Sequence, residues 1–200
     1  MKKILSLVLF LCWPFILLAA TPTQQLAQLL QNTSTLQANF VQKIYDESGT
    51  VIDQSSGQFI LARPNQFRWQ VLKPMNQLVV SNGQKIWTYD ADLEQVVVKS
   101  VGKAIAATPL AILSGDTNAL IKDFIITGRG NVYYLHAKQS DTNFTDINLY
   151  FSNNTIVGMT LFDNLGQKTE LHFTQLKTNV AVTASDFVFV PPQGVDVVQG

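Results

Sequence analysis

Apolar and polar positions alternate along most of this chain, in short runs separated by turn-forming residues. The clearest run places Phe67, Trp69 and Val71 on one face of an extended segment and Arg68 and Gln70 on the other, because successive strand side chains point oppositely. Gln77 to Ser81 and Gln84 to Tyr89 read as two further strands. Asn82-Gly83 between them is a dipeptide that supplies the positive φ angles of a two-residue type I′ turn. Upstream, Asp46-Glu47-Ser48-Gly49 makes a turn before a run from Thr50 to Ala62. Downstream, a valine-rich run covers Gln95 to Val101, and strands resume over Phe124–Thr127, Val132–Lys138, Phe144–Phe151, Ile156–Phe162 and Lys168–Lys177. The tail from Phe187 to Val195 reads as an extended edge segment ending at Pro191-Pro192.

Two stretches break this rhythm. From Thr23 to Phe40, apolar residues at Leu26, Leu29, Leu30, Leu36 and Phe40 follow the spacing of an amphipathic helix, with Gln and Asn opposite. From Lys103 to Leu113 the chain turns to Ala, Ile and Leu, with Thr108 placed as an N-cap and Pro109 at the first helical position. Asp116 caps a further short helix through Lys122. The expectation is a mainly β fold, a strongly curved antiparallel sheet or unclosed barrel, covered by an N-terminal helix and an inserted helical segment.

Composition adds a compartment and removes several chemistries. Met1-Lys2-Lys3, an apolar run from Ile4 to Leu18 and Ala19-Ala20 make the three parts of a secretory signal peptide over residues 1–20, leaving one domain over residues 21–200. The single cysteine, Cys12, lies inside the apolar run, and Leu11 before it argues against a lipid anchor there. The formal net charge of +0 offers no basic surface for nucleic acid. Two histidines, His136 and His172, each fall within a strand, and no nucleophile motif, phosphate-binding glycine loop or closely spaced metal-ligand pair is present. Asp90, Asp92 and Glu94 lack the oxygen-rich loop of a calcium site and read as a solvated turn. The expectation is no enzyme, no metal and no cofactor. What remains is an apolar sheet face, a helical cover and a lone arginine, Arg63, ahead of Pro64; packed core and lipid cavity both use such inward apolar residues.

The ordered set Phe40-Val41-Gln42, Arg63-Pro64-Asn65-Gln66-Phe67-Arg68-Trp69, Val80 to Trp87, Leu93-Glu94-Gln95, Thr108-Pro109 and Phe189 to Val195 resembles the periplasmic outer-membrane lipoprotein carriers of the LolA family. The resemblance covers nearly the whole chain after residue 20 and implies a carrier in the periplasm of a Gram-negative bacterium; with no unmatched helix or heptad to invite pairing, a monomer is expected. It implies a cavity for lipoprotein acyl chains, with Phe59, Leu61, Phe67, Trp69, Leu78, Val80, Trp87, Tyr89, Leu110 and Leu113 as candidate lining residues. Leu26, Leu29, Leu30, Pro109 and Ile112 are candidates for the lid helices, and Arg63 for the latch that holds them by hydrogen bonds to backbone carbonyls. The implied partners are an inner-membrane ABC transporter complex that loads the carrier and an outer-membrane acceptor of the LolB type that unloads it. Departures from the family pattern are Arg68 and the uncharged first helix. A module of the same fold that binds another lipid or senses envelope stress is the alternative reading.

Overall fold

The computed structural model describes residues 20–101, 113–139 and 143–200. The signal-peptide reading, and Thr108, Pro109, Leu110 and Ile112, fall outside them. Helix α1 (Pro22–Gln31) is followed by strands β1 (Thr35–Tyr45), β2 (Val51–Ala62), β3 (Gln66–Lys73), β4 (Gln77–Asn82), β5 (Lys85–Asp90) and β6 (Gln95–Ser100). After the insertion come helix α2 (Thr117–Asp123) and strands β7 (Phe124–Arg129), β8 (Val132–Ala137), β9 (Phe144–Ser152), β10 (Thr155–Asp163) and β11 (Lys168–Thr178). A 3-10 turn (Ala184–Phe187) leads to β12 (Asp196–Gln199).

All these strands form one open sheet in the order β12-β6-β5-β4-β3-β2-β1-β11-β10-β9-β8-β7. Each pairing is antiparallel except β12, which lies parallel to β6 at one edge. The chain thus builds outward from β1, whose partners are β2 on one side and β11 on the other.

Alternation divides the sheet into two apolar faces. The inner face carries Leu36, Ala38 and Phe40 from β1, Phe59 and Leu61 from β2, Phe67 from β3, and Leu161, Leu171 and Phe173 from the far half, all buried with Leu26 and Leu30 of α1. On the outer face the cross-strand neighbours Leu78–Tyr89, Val80–Trp87, Trp87–Val98 and Tyr89–Val96 form a second apolar set. The C-terminal segment covers it: Phe187 is buried against β3 and β4, and the Phe189 ring lies 5.7 Å from Tyr89.

Three sequence expectations are corrected. The first helix ends at Gln31, and Leu36 to Phe40 are strand. Leu36 and Phe40 lie four apart, a spacing that serves one helix face and one strand face equally, while Asn32-Thr33-Ser34 favours a break. The β4–β5 connection is not a two-residue type I′ turn: Gly83 has φ 90, but Asn82 does not adopt positive φ, and its side chain instead accepts from the Gln84 and Lys85 N–H groups, both at 2.9 Å. Paired positive φ angles occur at Asn153 and Asn154, 48° and 62°, between β9 and β10. Finally, the edge strand at the C-terminus is Asp196–Gln199, beyond the Pro191-Pro192 stretch that was expected to end it.

Candidate functional site

The sharp β2–β3 turn, Arg63-Pro64-Asn65, sits where both helices reach the sheet. Thr21 caps α1 in a capping box with Gln24, and Pro22 opens the helix, so its start is well specified. Leaving α1, the chain passes Thr33 and Ser34 directly beside Arg63, whose backbone N–H donates to the Ser34 carbonyl at 2.9 Å. The guanidinium donates from Nε to the Thr33 carbonyl and from Nη1 to the Gly115 carbonyl, each at 3.2 Å. Asn65 N–H donates to the Ser114 carbonyl at 2.7 Å. One turn therefore ties together the exit of α1 and the approach to α2. Asp116 fixes the latter end by accepting from Asn118 N–H at 2.9 Å as the α2 cap.

Arg63 is partly buried and has no carboxylate among these contacts; desolvation pushes its guanidinium down to about 10. It stays charged at neutral pH, so the carbonyls do the work of compensation. A planar fork with donors pointing to different sides suits two carbonyls on separate segments better than an ammonium would.

Below this joint the inner face is aromatic and aliphatic. Phe40 stacks on Trp69 with centroids 3.6 Å apart, and Trp69 also faces Phe59 at 5.6 Å. Gly57 makes the Phe40 stack possible: a Cβ there would lie 2.9 Å from the Phe40 ring and 1.9 Å from the Gln70 carbonyl oxygen. A cavity of about 260 Å³ continues from this face toward the end of the sheet remote from Arg63, floored by Phe67, Trp69, Val71 and Val79. Pro74 and Met75 stand at its opening with Asp53 and Asp90.

The family model for the outer membrane lipoprotein carrier protein LolA matches residues 31–190. The chain belongs to the LolA family. It is 40% identical over 202 residues to the outer-membrane lipoprotein carrier protein of Dechloromonas aromatica (strain RCB), covering 98% of this chain and 96% of that one. It is also 40% identical over 199 residues to the protein of that name from Legionella pneumophila (strain Corby), covering 98% of each. In fold it is similar to a LolA superfamily protein from Nitrosomonas europaea, with a TM-score of 0.55 at 12% identity over 86% of this chain and 99% of that one.

Within this LolA-family fold the predicted lining residues separate into two groups. Phe59, Leu61, Phe67, Trp69 and Leu113 lie on the inner face or pack into its core. Leu78, Val80, Trp87 and Tyr89 do not: register sets them on the outer face beneath the C-terminal segment. The reason is parity, since Val79 pairs with Trp69 on the inner side and its neighbours must point away. Of the lid-helix candidates, Leu26 and Leu30 are buried in the core and Leu29 packs against it. Sequence reasoning missed Asn65, Ser114 and Gly115, which act through backbone groups that leave no side-chain signature, and it assigned Phe40 to the helix when the stack on Trp69 needs it on a strand. Among the described residues no group of three or more His, Cys, Asp or Glu is placed to hold a metal, and no helix is long and apolar enough to cross a membrane.

Proposed function

We propose that this chain is a periplasmic carrier that shelters the acyl chains of lipoproteins on the inner face of its sheet, under α1 and α2. An inner-membrane ABC transporter complex loads it, and an outer-membrane acceptor of the LolB type unloads it. The observation that carries this reading is the joint at Arg63: a partly buried arginine whose guanidinium donates to the backbone carbonyls of Thr33, just after α1, and Gly115, just before α2, beside the apolar inner face.

The energetics fit a latch. Burying a 14-carbon chain is worth roughly 10 kcal/mol at about 0.8 kcal/mol per CH₂, so cargo does not leave a membrane unescorted. An empty carrier with its apolar face uncovered would aggregate, which makes a closing lid useful. A cavity of about 260 Å³ falls below the usual span for small-molecule sites, about 300 to 1,000 Å³, so a loaded form needs more room on the inner face than this cavity offers. Two charge-assisted hydrogen bonds, at about 1.5 to 3 kcal/mol each, hold the closed form without outweighing acyl burial.

The test is mass spectrometry of the mature protein purified from periplasm under depletion of the acceptor. A one-to-one complex with acylated lipoproteins is the expected result. Free fatty acid or glycolipid in their place would move the function to another lipid, and a protein empty under loading conditions would defeat the carrier reading.

A further inference from the structure

Two polar atoms at the same joint are buried yet make no hydrogen bond among the described residues: Asn65 Oδ1 and Ser114 Oγ. They belong to residues already joined through their backbones, Asn65 N–H donating to the Ser114 carbonyl at 2.7 Å. Ser114 is fully enclosed, with 0% of its surface accessible. A serine hydroxyl carries a donor and an amide oxygen carries acceptor sites, so chemically the two would suit each other, but they remain apart. Asn65 is held from both sides. Its φ is 62°, and its carbonyl accepts from Ser81 Oγ at 2.6 Å, which in turn accepts from Gly83 N–H at 3.2 Å.

We propose that Asn65 and Ser114 form a counter-latch, two positioning residues whose unsatisfied polar atoms raise the energy of the closed lid and set how readily Arg63 lets go. This rests on the reading of the helices as a lid. In the closed form neither atom has a protein partner among the described residues; when the helical segment parts from the turn, both face bulk water. The joint therefore combines opposed contributions where the β2–β3 turn meets the Ser114–Gly115 segment. Arg63 and the Asn65 N–H pull the helices down, and the Asn65 amide oxygen and Ser114 hydroxyl push them off. With attraction alone, the empty form would resist loading more strongly.

Two amides report directly on the joint: Arg63 N–H, bonded to Ser34, and Asn65 N–H, bonded to Ser114. Their hydrogen exchange, resolved by NMR on the empty full-length mature protein, measures lid opening. Ser114→Ala keeps the carbonyl that Asn65 uses and removes the orphaned hydroxyl, so opening should fall about fivefold or more, the factor that corresponds to about 1 kcal/mol. Asn65→Gly retains access to positive φ, removes the orphaned amide oxygen and should act in the same direction. A Ser114 that merely fills space would leave exchange at both amides unchanged, and one that donates a bond in the closed lid would speed it. Either outcome in both variants overturns the proposal. Loading of a synthetic triacylated lipopeptide should slow in proportion. If the lipopeptide fails to bind even the wild-type protein, the carrier reading falls while the exchange result on the empty protein still decides the counter-latch.

Discussion

At the scale of single residues, Arg63 concentrates the chemistry. Replacing it with leucine removes two hydrogen bonds to the Thr33 and Gly115 carbonyls while leaving a side chain that tolerates burial. The expected outcome is an intact fold by circular dichroism, at least tenfold faster exchange at Asn65 N–H, and a carrier that takes up lipopeptide but releases it poorly to the acceptor. Unchanged exchange and normal unloading would sink the latch. Arg63→Lys should restore only part of the closure, because an ammonium reaches two divergent carbonyls less well than a fork. The pH behaviour follows from the direction of the shift. Burial depresses the guanidinium to about 10, a cation disfavoured in the folded state, so folding gains stability only as pH rises past that value toward the ordinary one. Between pH 5 and pH 8 the charge is constant, and lid exchange corrected for intrinsic rates should show no step from Arg63.

At the scale of elements, the β1–β2–β3 unit depends on close backbone approach. Gly57→Ala would place a methyl group 1.9 Å from the Gln70 carbonyl oxygen and against the Phe40 ring. Either the β2–β3 ladder or the Phe40–Trp69 stack must give way, and a loss of about 3 kcal/mol or more in denaturant unfolding is expected. The remote ends of β1 and β11 offer an electrostatic counterpart. Glu170 accepts a bond from Tyr45 at 3.0 Å and pairs with Lys168 at 2.8 Å, and the Lys168 ammonium lies 4.1 Å from the centre of the Tyr45 ring. The hydrogen bond from Lys168 holds the Glu170 carboxyl below its ordinary value of 4.5. A carboxylate with a lowered value contributes stability above its unfolded value and loses it as pH falls through the folded one. Acidification below about 4.5 should therefore fray this end of the β1–β11 ladder, read as faster exchange at Thr169 and Glu170, whereas Glu170→Gln should abolish that pH dependence.

Across the whole molecule, the sheet separates two apolar layers that a single sequence pattern had merged. The inner layer faces the helices and the cavity; the outer one, with Leu78, Val80, Trp87 and Tyr89, is sealed by Phe187 and Phe189. The separation predicts opposite phenotypes. Phe187→Ala should cost about 3 to 5 kcal/mol of stability as an aromatic truncated in a core, with lipopeptide affinity of the folded fraction unchanged within about twofold. Val71→Asp puts a charge into the cavity floor and should weaken lipopeptide binding at least tenfold, with a smaller effect on the unfolding midpoint because the residue is only half-buried. Equal loss of binding in both variants would mean that the two faces act as one site.

The sequence by itself determined the class of fold, most strand positions and the family, because these rest on local signals: period-two alternation, turn residues, and an ordered set of motifs that includes the block around Arg63. Tertiary structure decided where a strand begins when one spacing serves two periods, as at Leu36 and Phe40. It also decided which of two greasy faces meets the helices. Alternation tells that Val79 and Val80 point apart, but only pairing with Trp69 on one side and the arrival of Phe187 on the other fixes which is inner. The partners of the joint were equally out of reach, since Thr33, Ser114 and Gly115 contribute carbonyls that every residue possesses, and only the meeting of segments far apart in the chain makes those particular ones count.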